Sequence, residues 1–206
     1  MLTIDLTLNL PRSLPIAFTA PPGITALTGP SGIGKTTTLL AIVGAHRPTR
    51  GKVALGDELW CETAANIHLP IERRSVALAF QSGALFPHLT VEQNVMFGIP
   101  RALPVEERRA RAMKWLTTFH ADHLASQSAA SLSGGEAQRV SVARAFARES
   151  RVILLDEPFS ALQKDLRTEL AKTARNTVQT NGQIAIYVTH DDAEAEIVSD
   201  ARIALV

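Results

Sequence analysis

Three short clusters in this sequence have residue types and spacings suited to chemistry on phosphate. Gly29-Pro30-Ser31-Gly32-Ile33-Gly34-Lys35-Thr36-Thr37 fits the pattern G-x-x-x-x-G-K-[ST]. Glycines let backbone N–H groups turn inward around phosphate oxygens, and the N-terminus of a following helix adds the positive end of its dipole. Lys35 reaches the outer phosphates as a point charge, and Thr36 offers its hydroxyl to Mg2+. Asp156 and Glu157 close the apolar run Val152-Ile153-Leu154-Leu155, which puts two carboxylates at the carboxyl edge of a buried strand, where open α/β sheets bind ligands. Asp156 suits the metal, and Glu157 suits a general base or water-orienting role. In Leu132-Ser133-Gly134-Gly135-Glu136, Ser133 and Glu136 have the spacing of a capping box, so the segment reads as a well-made helix start. Its two consecutive glycines cost roughly 1 kcal/mol each against alanine in a helix interior, and close backbone approach of an anion accounts for them.

The elements that position these clusters follow from periodicity. Ile24 to Thr28 suits a buried strand and Lys35 to Gly44 a helix, giving the order strand, glycine loop, helix. Leu2, Ile4, Leu6, Leu8 and Leu10 alternate with polar residues, a period of two that predicts a half-buried strand. Pro11-Arg12-Ser13 reads as the turn to a second strand at Leu14 to Thr19. A strand is expected over Lys52 to Leu55, a loop from there through about Pro70, and another strand over Ser75 to Phe80. Val91 to Ser150 shows no strand pattern, and Val105, Ala112, Trp115, Leu116 and Phe119 recur at helical spacing behind Pro104. The cluster Arg108, Arg109, Arg111 and Lys114 reads as a solvated helix face in preference to a partner surface. Strands return at Val152 to Leu155, Ile184 to Thr189 and Ala201 to Val206, separated by a helix through Leu162, Leu166, Leu170, Ala174 and Val178 and a short acidic helix from Asp191. The expected fold is α/β: a P-loop nucleotide-binding core with a mainly parallel sheet, an antiparallel N-terminal β subdomain and an inserted helical subdomain. Residues 1–82 and 151–206 form the core with its β subdomain, and 83–150 the helical insertion, within one domain.

Composition bounds the rest. The 206 residues are 46% hydrophobic, enough for one substantial core. A net charge of +1 supplies no global field toward nucleic acid or a membrane surface. The single Cys61 forms no internal disulfide, and the N-terminus lacks the pattern of a signal peptide, so a cytoplasmic protein is expected. The uncharged stretches Ser13 to Gly34 and Ser75 to Val91 are broken by prolines and polar residues, so any spanning of a membrane falls to a partner.

With these motifs in this order, the whole chain resembles the ATP-binding subunit of an ABC transporter. Gly29 to Thr36 matches the family's Walker A, Gln81 its Q-loop glutamine, Leu132 to Glu136 its signature, Leu155-Asp156-Glu157 its Walker B and His190 its switch histidine. The resemblance implies ATP and Mg2+ as cofactors. It implies a head-to-tail dimer in which each ATP lies between one copy's P-loop and the other's signature. Gln81 would sense Mg2+ and the attacking water, and His190 would contact the γ-phosphate. Integral membrane permease subunits would dock near Gln81 to Val91, on a helical segment that includes Leu85-Phe86-Pro87-His88-Leu89. A periplasmic or extracellular solute-binding protein would act through the permease, with this chain at the cytoplasmic face of the inner (plasma) membrane and no nucleic acid involved.

Three departures from the family pattern stand out: Glu136 where glutamine is commoner, Gln163 where the D-loop usually has aspartate, and no tyrosine or tryptophan in Leu6 to Pro15 to stack on adenine. Phe18, the nearest aromatic, is expected to face the core. Because the sequence ends directly after the last expected strand, the C-terminal regulatory domain of some importer ATPases is expected to be absent. Pro22-Gly23-Ile24-Thr25-Ala26-Leu27 is most similar to the ATPases of molybdate importers. The reading is therefore an ATPase powering import of a small solute, molybdate or another oxyanion first. The alternatives are a non-transport ABC ATPase acting on nucleic acid or ribosomes, which usually carries long coiled-coil insertions or two cassettes, and a P-loop small-molecule kinase, which leaves Ser133 to Glu136 and His190 unexplained.

Overall fold

The structure is a computed structural model and describes residues 1–10 and 13–205. In chain order the elements are β1 (Leu2–Asn9), β2 (Ser13–Ala20), β3 (Gly23–Thr28), α1 (Lys35–Val43), β4 (Arg50–Leu55), β5 (Glu58–Glu62), β6 (Ile67–His68) and β7 (Val76–Ala79). They continue with α2 (Val91–Met96), α3 (Val105–Thr118), α4 (Gly134–Ala147), β8 (Val152–Asp156), α5 (Lys164–Thr180), β9 (Ile184–Val188), α6 (Asp192–Val198) and β10 (Ala201–Ala204). The strands form two separate sheets, matching the expected antiparallel N-terminal β subdomain and parallel core: β2-β1-β4-β5-β6 is antiparallel, and β10-β3-β9-β8-β7 is parallel throughout.

Pleating decides which side chain goes where. In β1 the even residues Leu2, Ile4, Leu6 and Leu8 are buried, as their alternation predicts. Every residue of β8 is buried because the strand faces two cores. Val152 and Leu154 pack with β1, α1 and the rest of the antiparallel sheet, while Ile153 and Leu155 pack with the helices on the other side. Phe18 belongs to the first of these cores, as expected.

Several expectations need correction. The stretch to Pro70 is not one loop: Gly56 and Asp57 turn β4 back into β5, burying Trp60 and Cys61, and β6 follows. Leu85 to Leu89 is not helical. Gly83 and Ala84 have positive φ of 77° and 43°, and the buried Asn94 side chain grips Phe86 by both its N–H (2.8 Å) and its carbonyl (3.1 Å). That grip offers the backbone an alternative to a helix, which starts only after the Thr90 cap. The face of α3 is exposed, but its cations are engaged: Arg109 with Glu92 at 2.9 Å, Arg111 with Glu107 at 2.8 Å, and Arg108 Nη2 on the Met96 carbonyl at 3.0 Å. The last strand stops at Ala204; the Pro11-Arg12 part of the first turn and Val206 lie outside the described residues.

Arg74 ties the end of α1 to the antiparallel sheet. Its side chain is buried, 1% exposed, and donates to the carbonyls of Ala41 (3.2 Å) and Ile42 (2.7 Å) at the end of α1, to that of Trp60 (3.0 Å) in β5 and to that of Leu69 (3.0 Å) just past β6. These bonds satisfy carbonyls that the end of α1 leaves without helical partners. No helix among the described residues is long and apolar enough to cross a membrane.

Candidate active site

The strand order brings β3, β8 and β9 side by side with their carboxyl ends at one edge, so residues from distant parts of the sequence meet there. From β3 the chain turns through the glycine loop into α1. Gly34 is the N-cap of that helix with φ 112°, a conformation that disfavours a side chain. A Cβ there would also lie 2.6 Å from Leu10 Cδ1. Lys35, 6% exposed, curls back so that Nζ donates to the Gly29 (2.7 Å) and Pro30 (2.9 Å) carbonyls.

At the end of β8, Asp156 accepts the Thr36 hydroxyl at 2.8 Å. Burial pushes the Asp156 carboxyl above its usual range, opposed by the Thr36 hydrogen bond and reinforced by the neighbouring Glu157 charge. A hydroxyl and a carboxylate so placed form an all-oxygen pair of ligands that fits Mg2+. Glu157 leaves the strand with φ 44°, its N–H on the Val188 carbonyl at 3.0 Å, and this sparsely populated conformation aims its side chain across the edge. There Gln81 Nε2 donates to Glu157 Oε2 at 2.8 Å, and His190 Nδ1 lies 3.2 Å from Oε1. The carboxylate is thus held from both sides, by the chain after β7 and the chain after β9. A cavity of about 450 Å³ has Lys35, Thr36, Gln81, Asp156, Glu157 and His190 on its wall, with Ser31, Gly32, Gly34 and Thr37. A larger hollow of about 570 Å³ opens at the opposite edge of the sheet, where Arg151 is already paired with Glu58 and Glu149 with Arg111.

Ser133 to Glu136 does not line the cavity. The capping box is formed: Glu136 Oε2 accepts the Ser133 N–H at 2.8 Å and its hydroxyl at 2.6 Å, which holds the Glu136 carboxyl below its usual range. The structure adds a second reason for the glycines, since a Cβ on Gly135 would lie 2.6 Å from Leu162 Cδ2 of the turn after β8. Pro30 contributes its carbonyl to Lys35, and Ile33 packs on the core.

Residues that sequence reasoning passed over complete the edge. Glu194 of α6 accepts from Tyr187 (2.8 Å) and Thr189 (2.6 Å), steadying the strand end that carries His190. Arg167 of α5 donates to the Ser160 and Leu162 carbonyls at 3.0 Å each, and its other nitrogen is 3.8 Å from Asp191, beside His190. Gln138 of α4 is 3% exposed and reaches the same turn. A polar residue on an otherwise apolar helical face was the only sign of it in the sequence.

A parallel sheet with a glycine loop at its carboxyl edge, a lysine and threonine opening the helix, and an acidic pair on an adjacent strand defines a P-loop nucleotide-binding protein. The model of the ABC transporter family matches residues 15–160, and the chain belongs to that family of ATPases. It is 42% identical over 185 residues to the sulfate/thiosulfate import ATP-binding protein of Mesorhizobium japonicum, covering 87% of this chain and 52% of that protein. It is 41% identical over 192 residues to the Fe(3+) ions import ATP-binding protein of Brucella abortus, covering 92% and 53%. The spermidine/putrescine import ATP-binding protein of Bacillus anthracis is 41% identical over 180 residues, covering 87% and 53%. The chain spans about half the length of the curated relatives it matches. Among solved structures, a dimeric bacterial ABC transporter cassette superposes with a TM-score of 0.86 at 26% identity, covering 100% of this chain and 94% of that one. A dimeric post-hydrolysis cassette bound to ADP and Pi gives 0.86 at 27%, with the same coverage.

Proposed function

We propose that this chain binds and hydrolyses ATP as a head-to-tail pair of copies, and that hydrolysis drives a membrane permease importing a small solute. The observation that carries the reading is the Glu157 carboxylate, fixed between Gln81 and His190 on the wall of the cavity that Lys35 and Thr36 also line. A general base needs a defined orientation toward the water it activates, and the Gln81 hydrogen bond with His190 close on the other side supplies it. In this reading His190 stands beside one Glu157 carboxylate oxygen, and Gln81 holds the other. Lys35 leaves the loop carbonyls for the phosphates. Thr36 and Asp156 would hold Mg2+, and Gln81 would sense it; the ion would supply charge neutralisation on the phosphate oxygens.

The second half of each site comes from Ser133 to Glu136 of the other copy. This is supported by the position of that segment outside its own cavity and by the dimeric cassettes that share the fold. The division into a core of residues 1–82 and 151–206 and a helical part of 83–150 follows the same reading. The permease would contact the region from Gln81 to Val91, where Phe86 packs on the half-exposed Phe97 at 4.5 Å. The chain would then sit at the cytoplasmic face of the membrane, with a solute-binding protein acting through the permease. Molybdate rests on the likeness of Pro22 to Leu27. The relatives carry names for sulfate, iron and polyamines at similar identity, which supports a solute chosen by the partner.

Glu157→Gln keeps the shape and loses the base. It should still bind ATP and form the dimer, with turnover reduced at least about a hundredfold. Undiminished hydrolysis in that variant would remove Glu157 from the mechanism. Co-purifying the permease and asking which solute stimulates ATPase activity in the reconstituted complex tests the transport reading.

A further inference from the structure

We propose that Gln138 is a positioning residue that keeps the Gln81–Glu157 pair and the Ser160–Leu162 turn in register with the helix start at Ser133 to Glu136. The inference rests on the ATPase reading above for its kinetic consequence only.

The Gln138 side chain stands one turn into α4 and is 3% exposed. Its Nε2 donates to the Gln81 carbonyl at 3.0 Å and to Ser160 Oγ at 3.0 Å, with the Glu157 carbonyl at 3.5 Å. Its Oε1 accepts the Ala161 N–H at 3.0 Å. Both donors and the acceptor of one amide are therefore used, and the backbone fixes which end is which: a flipped amide would set Oε1 against the Gln81 carbonyl and an N–H against another N–H. The residue whose carbonyl Gln138 holds is the one whose side chain orients Glu157. The turn that it grips by Ala161 is the one that crowds Gly135.

Packing makes the register narrow. A Cβ on Gly83, just past Gln81, would lie 3.1 Å from Ala137 Cβ, and one on Gly135 would lie 2.6 Å from Leu162 Cδ2. The first turn of α4 is wedged between two turns with glycine at each contact, and Gln138 is the hydrogen-bonding centre of the wedge. A shift of α4 must carry the Gln81 backbone and the Ser160–Leu162 turn with it. A change at Gln81 and Glu157 is in the same way felt at Ser133 to Glu136, the segment assigned to the nucleotide of the other copy.

The test compares Gln138→Glu, Gln138→Ala and wild type as the full chain. Ionised, the glutamate presents only acceptors to the Gln81 carbonyl; protonated, its one O–H donates there while the second oxygen accepts from Ala161, so those two bonds return and only the donor to Ser160 Oγ stays lost. Gln138→Glu should have kcat reduced about tenfold or more near pH 8, recovering relative to wild type toward about pH 6, where the buried carboxyl takes up its proton. KM for ATP should stay within about twofold, because no nucleotide-binding group has been touched. Gln138→Ala should be slow at every pH. Wild-type kcat in both variants, or a deficit in Gln138→Glu that does not change with pH, overturns the proposal. Amide exchange followed by NMR gives a readout that needs no turnover: the Ala161 N–H should lose protection in Gln138→Ala while the interior amides of α4 keep theirs. Unchanged Ala161 protection overturns the positioning role even in an active enzyme, whereas loss of that protection in a chain that does not hydrolyse ATP upholds it and sinks the ATPase reading instead.

Discussion

The Thr36 hydroxyl donates to Asp156 Oδ2 at 2.8 Å, although the two residues are 120 positions apart in the sequence. The bond joins the first turn of α1 to the end of β8 and leaves one buried carboxylate at the site with a single neutral donor. Because burial raises the Asp156 pKa in the folded chain, folding favours its protonated form. Below the unfolded value of 3.8 the group is protonated in both states and costs nothing; as pH rises through the folded value, that stability is lost. Asp156→Asn, without nucleotide or metal, should therefore melt higher than wild type at neutral pH, and the difference should shrink as pH falls toward about 4. Thermal melts across that range check it. A difference independent of pH would mean that the ionised carboxylate is not what destabilises the folded chain. Saturating Mg2+ and ATP should raise the wild-type melting temperature more than that of the variant.

Gln163 is the N-cap of α5, with the extended conformation of a cap (φ −62°, ψ 149°) but no side-chain hydrogen bond to the helix. Its side chain is one methylene too long to fold back onto the N–H groups of the first turn. Gln163→Asp should supply the missing bond and add about 1 kcal/mol, which for a chain of this length raises the melting temperature by about 2–4 °C. An unchanged or lower melting temperature would show that the cap is unavailable. The same substitution restores the residue that the family resemblance leads one to expect there, so ATPase measurements on it separate a gain in helix stability from a change in communication between sites.

Arg74 presents four hydrogen bonds to backbone carbonyls from inside the protein. Arg74→Met fills much of the volume but removes the donors to the Ala41, Ile42 and Leu69 carbonyls, while Trp60 keeps the Leu69 N–H, and should cost about 3 kcal/mol or more in urea unfolding. Arg74→Lys should recover only part of this, because a compact ammonium cannot span carbonyls that lie on opposite sides of a planar guanidinium. A loss below about 1 kcal/mol for the methionine variant would mean that water replaces the guanidinium.

Much of the chemistry was legible because its patterns are local. Lys35 and Thr36 follow the glycines within one turn of helix, and Asp156 and Glu157 end a strand whose unbroken apolar run marks burial on both faces. Ser133 and Glu136 meet because a helix start brings the cap and third position together. The elements that escaped are those decided by partners far away. β5 is held by β4 and by the burial of Trp60, and Leu85 to Leu89 is pulled out of a helix by the Asn94 side chain.

By itself, the sequence determined which residues form the glycine loop and the strand that ends in two carboxylates, and which face the core, because period-two and period-3.6 patterns and the backbone demands of a glycine loop are properties of neighbouring residues. Only the tertiary structure decided that Gln81, Glu157 and His190 come together at one edge, that Gln138 stitches two turns to α4, and that Ser133 to Glu136 stands away from its own cavity. Those relations depend on the order of strands in the parallel sheet and on the wedging of α4 between two loops. Both are set by burying two cores at once, a requirement on the whole chain that no short segment expresses.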